Sequence, residues 1–345
     1  MCTSIVYGRK SQKYLAYNYD YALVHGIIGT NLRGTIKENG RSGIDKVIRW
    51  EVKYGSVSFC SYSAELPTSG MNEAGLAITL MWHNGGDFGD DTELPQLSPL
   101  QWIQYQLDSC ATVDEVIDSL SKVRPRKEHL PLHYTLLDVA GNHLLIEFVD
   151  GMPKIYRNAA LPIMTNTTYP LCLEELAASK TGSSSGINDN TSIARFIHLA
   201  DQRSAYLSNS ACETDGIELL DSVNQTPGQE IDFPWNQKRD DNTVTAWSIV
   251  FNPLEKHITF KTASNPSIRA IDLSDIDFDQ SADYRMMDVH CSIGSSVTEQ
   301  LKPFDKEKLR DNITLSLPFI PGNEEDVDNL VATVDALYRT RVMPS

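Results

Sequence analysis

Cys2 constrains this chain more than any other residue. Once Met1 is removed, a thiol and a free α-amine stand together on the first residue, and the two make a nucleophile and a base. An α-amine titrates at about 7.7–8.0, so an appreciable fraction is unprotonated near neutral pH. It can accept the thiol proton, the device by which N-terminal nucleophiles are activated. The structural alternative is a small residue opening a strand. The run from Cys2 to Tyr7, rich in β-branched residues, suits either reading.

At 345 residues the chain can build one large domain or two medium ones. Its 41% hydrophobic and 22% charged content are those of a soluble globular protein. A net charge of −16 argues against a nucleic-acid groove or an anionic membrane surface, both of which need clustered Lys and Arg. No segment approaches the length of an apolar span, so membrane insertion is not expected. The N-terminus has no secretory pattern, and the six cysteines (positions 2, 60, 110, 172, 212 and 291) are scattered. They read as mostly reduced, buried thiols of a cytoplasmic protein. If a leader was removed from a precursor, the compartment becomes periplasmic or extracellular.

Strands are expected at Cys2–Tyr7, Tyr14–Tyr19, Ile27–Leu32, Val47–Val52 and Val57–Tyr62. Ser69–Ile78 reads as strand, tight turn, strand, with Gly75 free to take positive φ. A helix starts at Ser98-Pro99, and a second at Thr112, where Glu115 completes a capping box. Strands His133–Val139 and His143–Phe148 follow, then a Gly/Ser-rich loop at 180–190. A third helix begins near Asn190, with an apolar face of Ile193, Phe196, Ile197 and Ala200 that leaves Arg195 off it. Residues 222–242 are too long and polar for a plain connector and suit a lid or an oligomer contact, in a dimer or tetramer. Strands Thr243–Phe251 and Ile258–Thr262 come next. Strands, helices and strands again predict layered α+β architecture in one domain over 1–345. The region after about Cys291 is unassigned.

The opening CTSIV, the block GMNEAGLAI, PLQWIQYQLDSCATVDEVI, the pair LHYTLLD and LLIEF, and the late AWSIVFN occur in an order and spacing that resemble one family. It comprises the choloylglycine hydrolases, penicillin V acylases and linear amide C–N hydrolases, all N-terminal-nucleophile hydrolases. The resemblance runs from Cys2 to about residue 275. It implies a four-layer αββα sandwich, a small-molecule N-acyl amide as substrate, and hydrolysis through a thioester.

Residue by residue, the resemblance implies that Cys2 is the nucleophile and that Asp20 hydrogen-bonds the new α-amine. Asn166, in Met164-Thr165-Asn166, matches the amide that donates to the tetrahedral oxyanion. Arg195 matches an arginine beside the thiol, where its charge would lower the cysteine pKa. Asn72 and Trp82 form a second tier. Asn72 sits in the turn before a strand, and Trp82 stands where the family places an asparagine or tyrosine near the oxyanion. Its backbone N–H would be a second donor and its indole a wall of the acyl pocket. Tyr17 departs from the pattern, because many members carry an arginine there. It cannot supply that charge, and Asn18 beside it offers an amide. These departures point to the broader linear-amide branch rather than a dedicated bile-salt or penicillin V enzyme.

His129 and His133 have the spacing of a zinc-binding helix, but Pro131 breaks that helix. There is no Walker loop, no GxGxxG after a strand and no GxSxG elbow, so no cofactor is expected. Two other readings stay open on sequence, a non-catalytic relative that binds an acyl ligand and an enzyme that transfers the acyl group to an amine. An intact Met1 would favour the first, and a condensed product in the presence of an amine acceptor the second.

Overall fold

The computed structural model describes residues 2–339 except 10–11, 23–24, 40–45, 90–92, 129–130, 182–190, 208–210, 227–242 and 320–322. Most of the Gly/Ser-rich loop and of the expected lid therefore lies outside the described residues, as does His129.

The chain opens with β1 (Cys2–Arg9), β2 (Gln12–Tyr21) and β3 (Ile27–Asn31), then a short hairpin of β4 (Ile36–Glu38) and β5 (Arg49–Glu51). The expected strand at Val47–Val52 is reduced to β5. Next come β6 (Ser56–Cys60), β7 (Ser69–Asn72), β8 (Ala77–Trp82) and β9 (Gln96–Leu97). Gly75 has φ +87°, and a Cβ there would lie 2.8 Å from the Pro253 carbonyl, so the β7–β8 turn needs glycine. Helix α1 (Pro99–Ser109) starts as expected, with the Ser98 side chain accepting from Gln101 N–H. Helix α2 (Val113–Ser119) is capped by Thr112. After β10 (Arg124–Pro125) come β11 (Leu132–Leu137), β12 (His143–Val149), β13 (Met152–Arg157) and β14 (Ile163–Met164). Helices α3 (Tyr169–Lys180), α4 (Ser192–Gln202) and α5 (Glu213–Asp221) precede β15 (Val244–Asn252), β16 (His257–Thr262), β17 (Arg269–Asp272), β18 (Arg285–Asp288) and β19 (Lys302–Pro303). The chain closes with α6 (Lys306–Ser316) and α7 (Glu324–Arg339).

Two large antiparallel sheets stack. The first has the order β14-β1-β2-β15-β16-β17, and the second β13-β12-β11-β8-β7-β6-β3-β18-β19. Their facing sides share a core in which Leu15, Tyr17, Trp247 and Phe260 meet Phe59, Met71, Ala77 and Met81. The Phe59 and Phe260 rings meet edge to face at 5.4 Å. Helices α3, α4 and α5 cover the other side of the first sheet through Cys172, Phe196, Leu199, Ile217 and Leu220. Helices α1 and α2 cover the second sheet, with Trp102, Leu107 and Val116 against Ile78, Tyr134 and Leu136. Side chains alternate along each strand, so the strands of this αββα sandwich enclosed by helices and the facing sheet, β1, β2, β6, β7, β8, β11, β12 and β15, bury both of their faces.

The C-terminal helices extend that outer layer. Leu309, Ile313, Val327 and Val331 share a core with Ile27 of β3, Cys60 of β6 and Met286 of β18. Asn312 donates to the carbonyls of Ser61 (3.1 Å) and Tyr62 (2.8 Å). If the chain is one domain, Leu309→Ala should cost about 2–5 kcal/mol through the cavity it leaves. It should also lower a single cooperative melting transition. Two resolved calorimetric transitions, only the smaller of them moved by the substitution, would show that α6 and α7 melt apart from the sandwich.

All six cysteines are free thiols, with Cys212 and Cys291 exposed and the other four buried. Among the described residues, no helix is long and apolar enough to cross a membrane.

Candidate active site

Cys2 begins β1 and is paired with Tyr19 of β2. Alternation along β1 sends Cys2, Ser4 and Val6 towards the second sheet, where Ser4 Oγ lies 2.8 Å from Thr135 Oγ1. Thr3, Ile5 and Tyr7 face the helices, and Tyr7 donates to the carbonyl preceding α5, that of Cys212. The nucleophile candidate is thus at the end of the sheet, only 4% exposed. Its backbone N donates to Asn166 Oδ1 at 3.1 Å. Its Sγ lies 3.9 Å from the Asp20 carbonyl oxygen and 3.9 Å from the Tyr17 hydroxyl. The residue at the departure position therefore points its hydroxyl at the thiol.

Asn166 follows β14, the strand paired to β1. Its backbone N–H donates to Ser192 Oγ (2.8 Å) and its carbonyl accepts from Asn84 N–H (2.7 Å). Its Nδ2 donates to the Trp82 carbonyl at 2.8 Å, and its Oδ1 accepts from Arg195 Nη2 at 2.8 Å as well as from Cys2. Two donors on Oδ1 and a carbonyl acceptor on Nδ2 fix which way the amide points. One Nδ2–H remains beyond the bond to Trp82.

Arg195 is placed differently from the sequence expectation. The buried side of α4 is Ser192, Arg195, Phe196 and Leu199, so Arg195 lies on the packed face rather than off it. The i, i+3, i+4, i+7 spacing is helical, but an arginine occupies a position that apolar periodicity would not assign. Its guanidinium donates to Thr3 Oγ1 (3.0 Å), the Cys2 carbonyl (3.4 Å) and Asn166. Burial holds it below the usual arginine range, and the Asp20 carboxylate acts in the opposite direction.

Asp20 is buried at the β2–β15 register shift, where it pairs with Thr245. Its Oδ1 accepts from Thr245 Oγ1 at 2.6 Å. Burial pushes the carboxyl up, with Arg195 among the groups that offset it. Burial also pushes the Cys2 thiol up, against the lowering contributions of an N-terminal amine and the Tyr17 hydroxyl. Desolvation outweighs the contributions that favour the thiolate at this position. Such a thiol needs a base at the moment of attack.

Asn72 and Asn18 are both engaged elsewhere. The Asn72 amide donates to the Leu107 and Cys110 carbonyls at 2.8 and 2.7 Å, and its Oδ1 accepts from Leu76 N–H. Both N–H groups are spent on terminating α1, so none is left for an oxyanion. Asn18 alternates to the helix side of β2, where it donates to Leu220 O and Asn224 Oδ1 and accepts from Ser248. It braces α5 against the sheet. Trp82 is half-exposed, its carbonyl holds Asn166, and its indole N–H donates to Asn84 Oδ1. The N–H groups of His83 and Asn84 are taken by Pro131 O and Asn166 O.

Sequence reasoning missed Ser192 and Thr245, the hydroxyls that hold Asn166 and Asp20. Ser192 carried one usable signal, its position one turn before Arg195 on the same helix face. Thr245 carried none, since only strand pairing puts it opposite Asp20. The arrangement as a whole offers a thiol, an adjacent backbone nitrogen oriented by an amide oxygen, and an amide N–H donor beside them. Those are the parts of acyl transfer.

Residues 2–178 match the model of the linear amide C–N hydrolases, choloylglycine hydrolase family. The penicillin V acylase of Pectobacterium atrosepticum is 26% identical over 278 residues, 70% of this chain and 72% of that protein. The structure of penicillin V acylase from Agrobacterium tumefaciens superposes with a TM-score of 0.72 at 23% identity, covering 88% of this chain and 98% of that one. A variant of the conjugated bile acid hydrolase from Clostridium perfringens gives 0.70 at 17% identity, covering 85% and 99%.

Proposed function

The chain belongs to the linear amide C–N hydrolases, choloylglycine hydrolase family, and on that premise we propose that it cleaves an N-acyl amide with Cys2 as an N-terminal nucleophile. The observation that carries this reading is the triple setting of Cys2, with its N on Asn166 Oδ1 and its Sγ between the Tyr17 hydroxyl and the Asp20 carbonyl.

With Met1 removed, the Cys2 nitrogen becomes an amine. Donation to Asn166 Oδ1 orients it and leaves its lone pair for the thiol proton. As the proton passes to the amine, Sγ attacks the substrate carbonyl carbon and forms a tetrahedral oxyanion. The remaining Nδ2–H of Asn166 donates to that oxygen. Collapse breaks the C–N bond, the protonated amine of Cys2 returns its proton to the leaving nitrogen, and a thioester remains. Water then loses a proton to the same amine, attacks the thioester and releases the acid and the thiol. Asp20 and Arg195 act as positioning residues, holding the Cys2 end of β1 between them.

The acyl pocket is read as lying along the half-exposed Trp82 indole, whose aromatic surface suits an apolar acyl group. A panel of penicillin V, conjugated bile acids, acyl-homoserine lactones and acyl amino acids tests the reading. Hydrolysis of at least one, with an acyl adduct on the N-terminal peptide after rapid quenching, is the expected result. Protein that retains Met1 yet turns over would overturn it.

The Tyr17 hydroxyl donates towards Sγ and so favours the thiolate. Tyr17→Phe removes that donor, which raises the thiol pKa, and the acid limb of kcat/KM against pH should move to higher pH. Tyr17→Arg should move it to lower pH. Unchanged limbs in both variants would show that position 17 does not act on the thiol.

A further inference from the structure

His83, His133 and Glu147 come from the end of β8 and from β11 and β12, and alternation turns all three towards the first sheet. They are 0%, 0% and 1% exposed, and one donor atom from each lies within 4.8 Å of the others. The imidazoles stack at 4.4 Å with their planes 11° apart. His83 Nε2 is 3.8 Å and His133 Nδ1 3.5 Å from the same oxygen, Glu147 Oε1.

The surroundings fix the protons. His133 Nε2 lies 2.6 Å from the Thr165 carbonyl, a pure acceptor, so that nitrogen carries the hydrogen. In the neutral ring Nδ1 is then a bare lone pair, aimed at Glu147. Both nitrogens of His83 are buried without a hydrogen-bond partner among the described residues. Glu147 Oε1 accepts from Tyr169 N–H (2.6 Å) and Oε2 from the Tyr156 hydroxyl (3.2 Å). The bare Nδ1 of His133 thus faces the Glu147 carboxylate with the unpartnered His83 ring beside them, and a cation between them would resolve the repulsion.

We propose that His83, His133 and Glu147 form a structural site for a divalent transition ion of the zinc class, which clamps the segment carrying Asn166 from behind. Two imidazoles and a carboxylate are a donor set zinc accepts, at about 2.0–2.2 Å per bond. Bonds of that length put donors roughly 3.3 Å apart across a tetrahedral angle and about 4 Å apart when opposed, which brackets the two N···O distances. The outer partners are those of a metal site, with His133 donating its other nitrogen to a carbonyl and Glu147 hydrogen-bonded on both oxygens. Each ligand is tied to the oxyanion segment. His133 holds Thr165 O, Glu147 holds Tyr169 N, and the residues flanking His83 hold Asn166 through Trp82 O and Asn84 N. The clamp's bearing on catalysis rests on the role proposed for Asn166, but ion binding does not.

The test uses full-length Cys2→Ala protein, stripped with a chelator, so that the N-terminal aminothiol cannot compete for metal. Titration with Co²⁺ should give visible d–d absorption saturating at about one ion per chain, without a thiolate charge-transfer band. Zn²⁺ should raise the melting temperature. Glu147→Gln, which keeps an acceptor for Tyr169 N–H, and His83→Gln should each weaken Co²⁺ binding at least tenfold and abolish the Zn²⁺ response. Exchanging the exposed His198 for Gln should change neither. Absence of stoichiometric Co²⁺ binding, or binding unaltered in both Glu147→Gln and His83→Gln, would overturn the site.

Discussion

Cys2→Ser protein should fold normally and lose turnover by several orders of magnitude. The thiol is buried against the Asp20 carbonyl and the Tyr17 hydroxyl, and a serine hydroxyl fits the same space, so the fold has no reason to change. The chemistry has every reason. Burial already pushes the thiol up, and the α-amine on the same residue is the base that takes its proton. A hydroxyl lies far above the amine, so proton transfer becomes steeply uphill and attack fails. Circular dichroism with a melt establishes the fold, and single-turnover kinetics on a panel substrate establish the loss. Turnover near wild type would remove Cys2 from the mechanism, whatever its surroundings.

Asn166→Ala should lower kcat by about 10²–10³, the usual cost of one oxyanion donor. The structure adds a second consequence. Asn166 Oδ1 accepts from both the Cys2 nitrogen and Arg195, so alanine also releases the amine from its fixed direction and leaves a buried guanidinium short of an acceptor. We therefore expect a lower melting temperature as well, by the order of 1–3 kcal/mol of stability for an unmet buried group. Asn166→Asp separates the two effects, since it keeps the acceptor for Arg195 while removing the amide donor. If kcat is restored by aspartate, the residue acts through positioning. If KM rises at constant kcat in either variant, it binds substrate and does not stabilise the oxyanion.

The local signals in this chain were clear where they depended on neighbours in sequence. Runs of β-branched and aromatic residues between turn residues placed β1, β2, β6, β11, β12, β15 and β16, and the caps at Ser98 and Thr112 placed α1 and α2. Helix α3 escaped notice because its leucines do not gather on one face, Leu171 and Leu173 being exposed, and no side-chain cap bond forms at Thr168; α5 escaped because its N-cap is a cysteine, a residue that gives no capping signal. The C-terminal helices are largely polar on the surface, and the stripe Val327, Val331, Val334 gains meaning only against Cys60 and Ile27.

By itself the sequence determined the layered α+β class, the family resemblance, and the choice of Cys2 as the candidate nucleophile. Those depend on residue identity and spacing, which a linear text carries. The tertiary structure decided which side of each strand a residue faces and what stands there. Alternation on β2 sends Tyr17 to the thiol and Asn18 to α5, although they are adjacent in the chain. Asn72, close to the family's site in sequence, is drawn off to the end of α1. His133, whose sequence neighbour could not make a metal-binding helix with it, meets His83 and Glu147 from two other strands. Such meetings are set by strand order and register, and no local pattern encodes them.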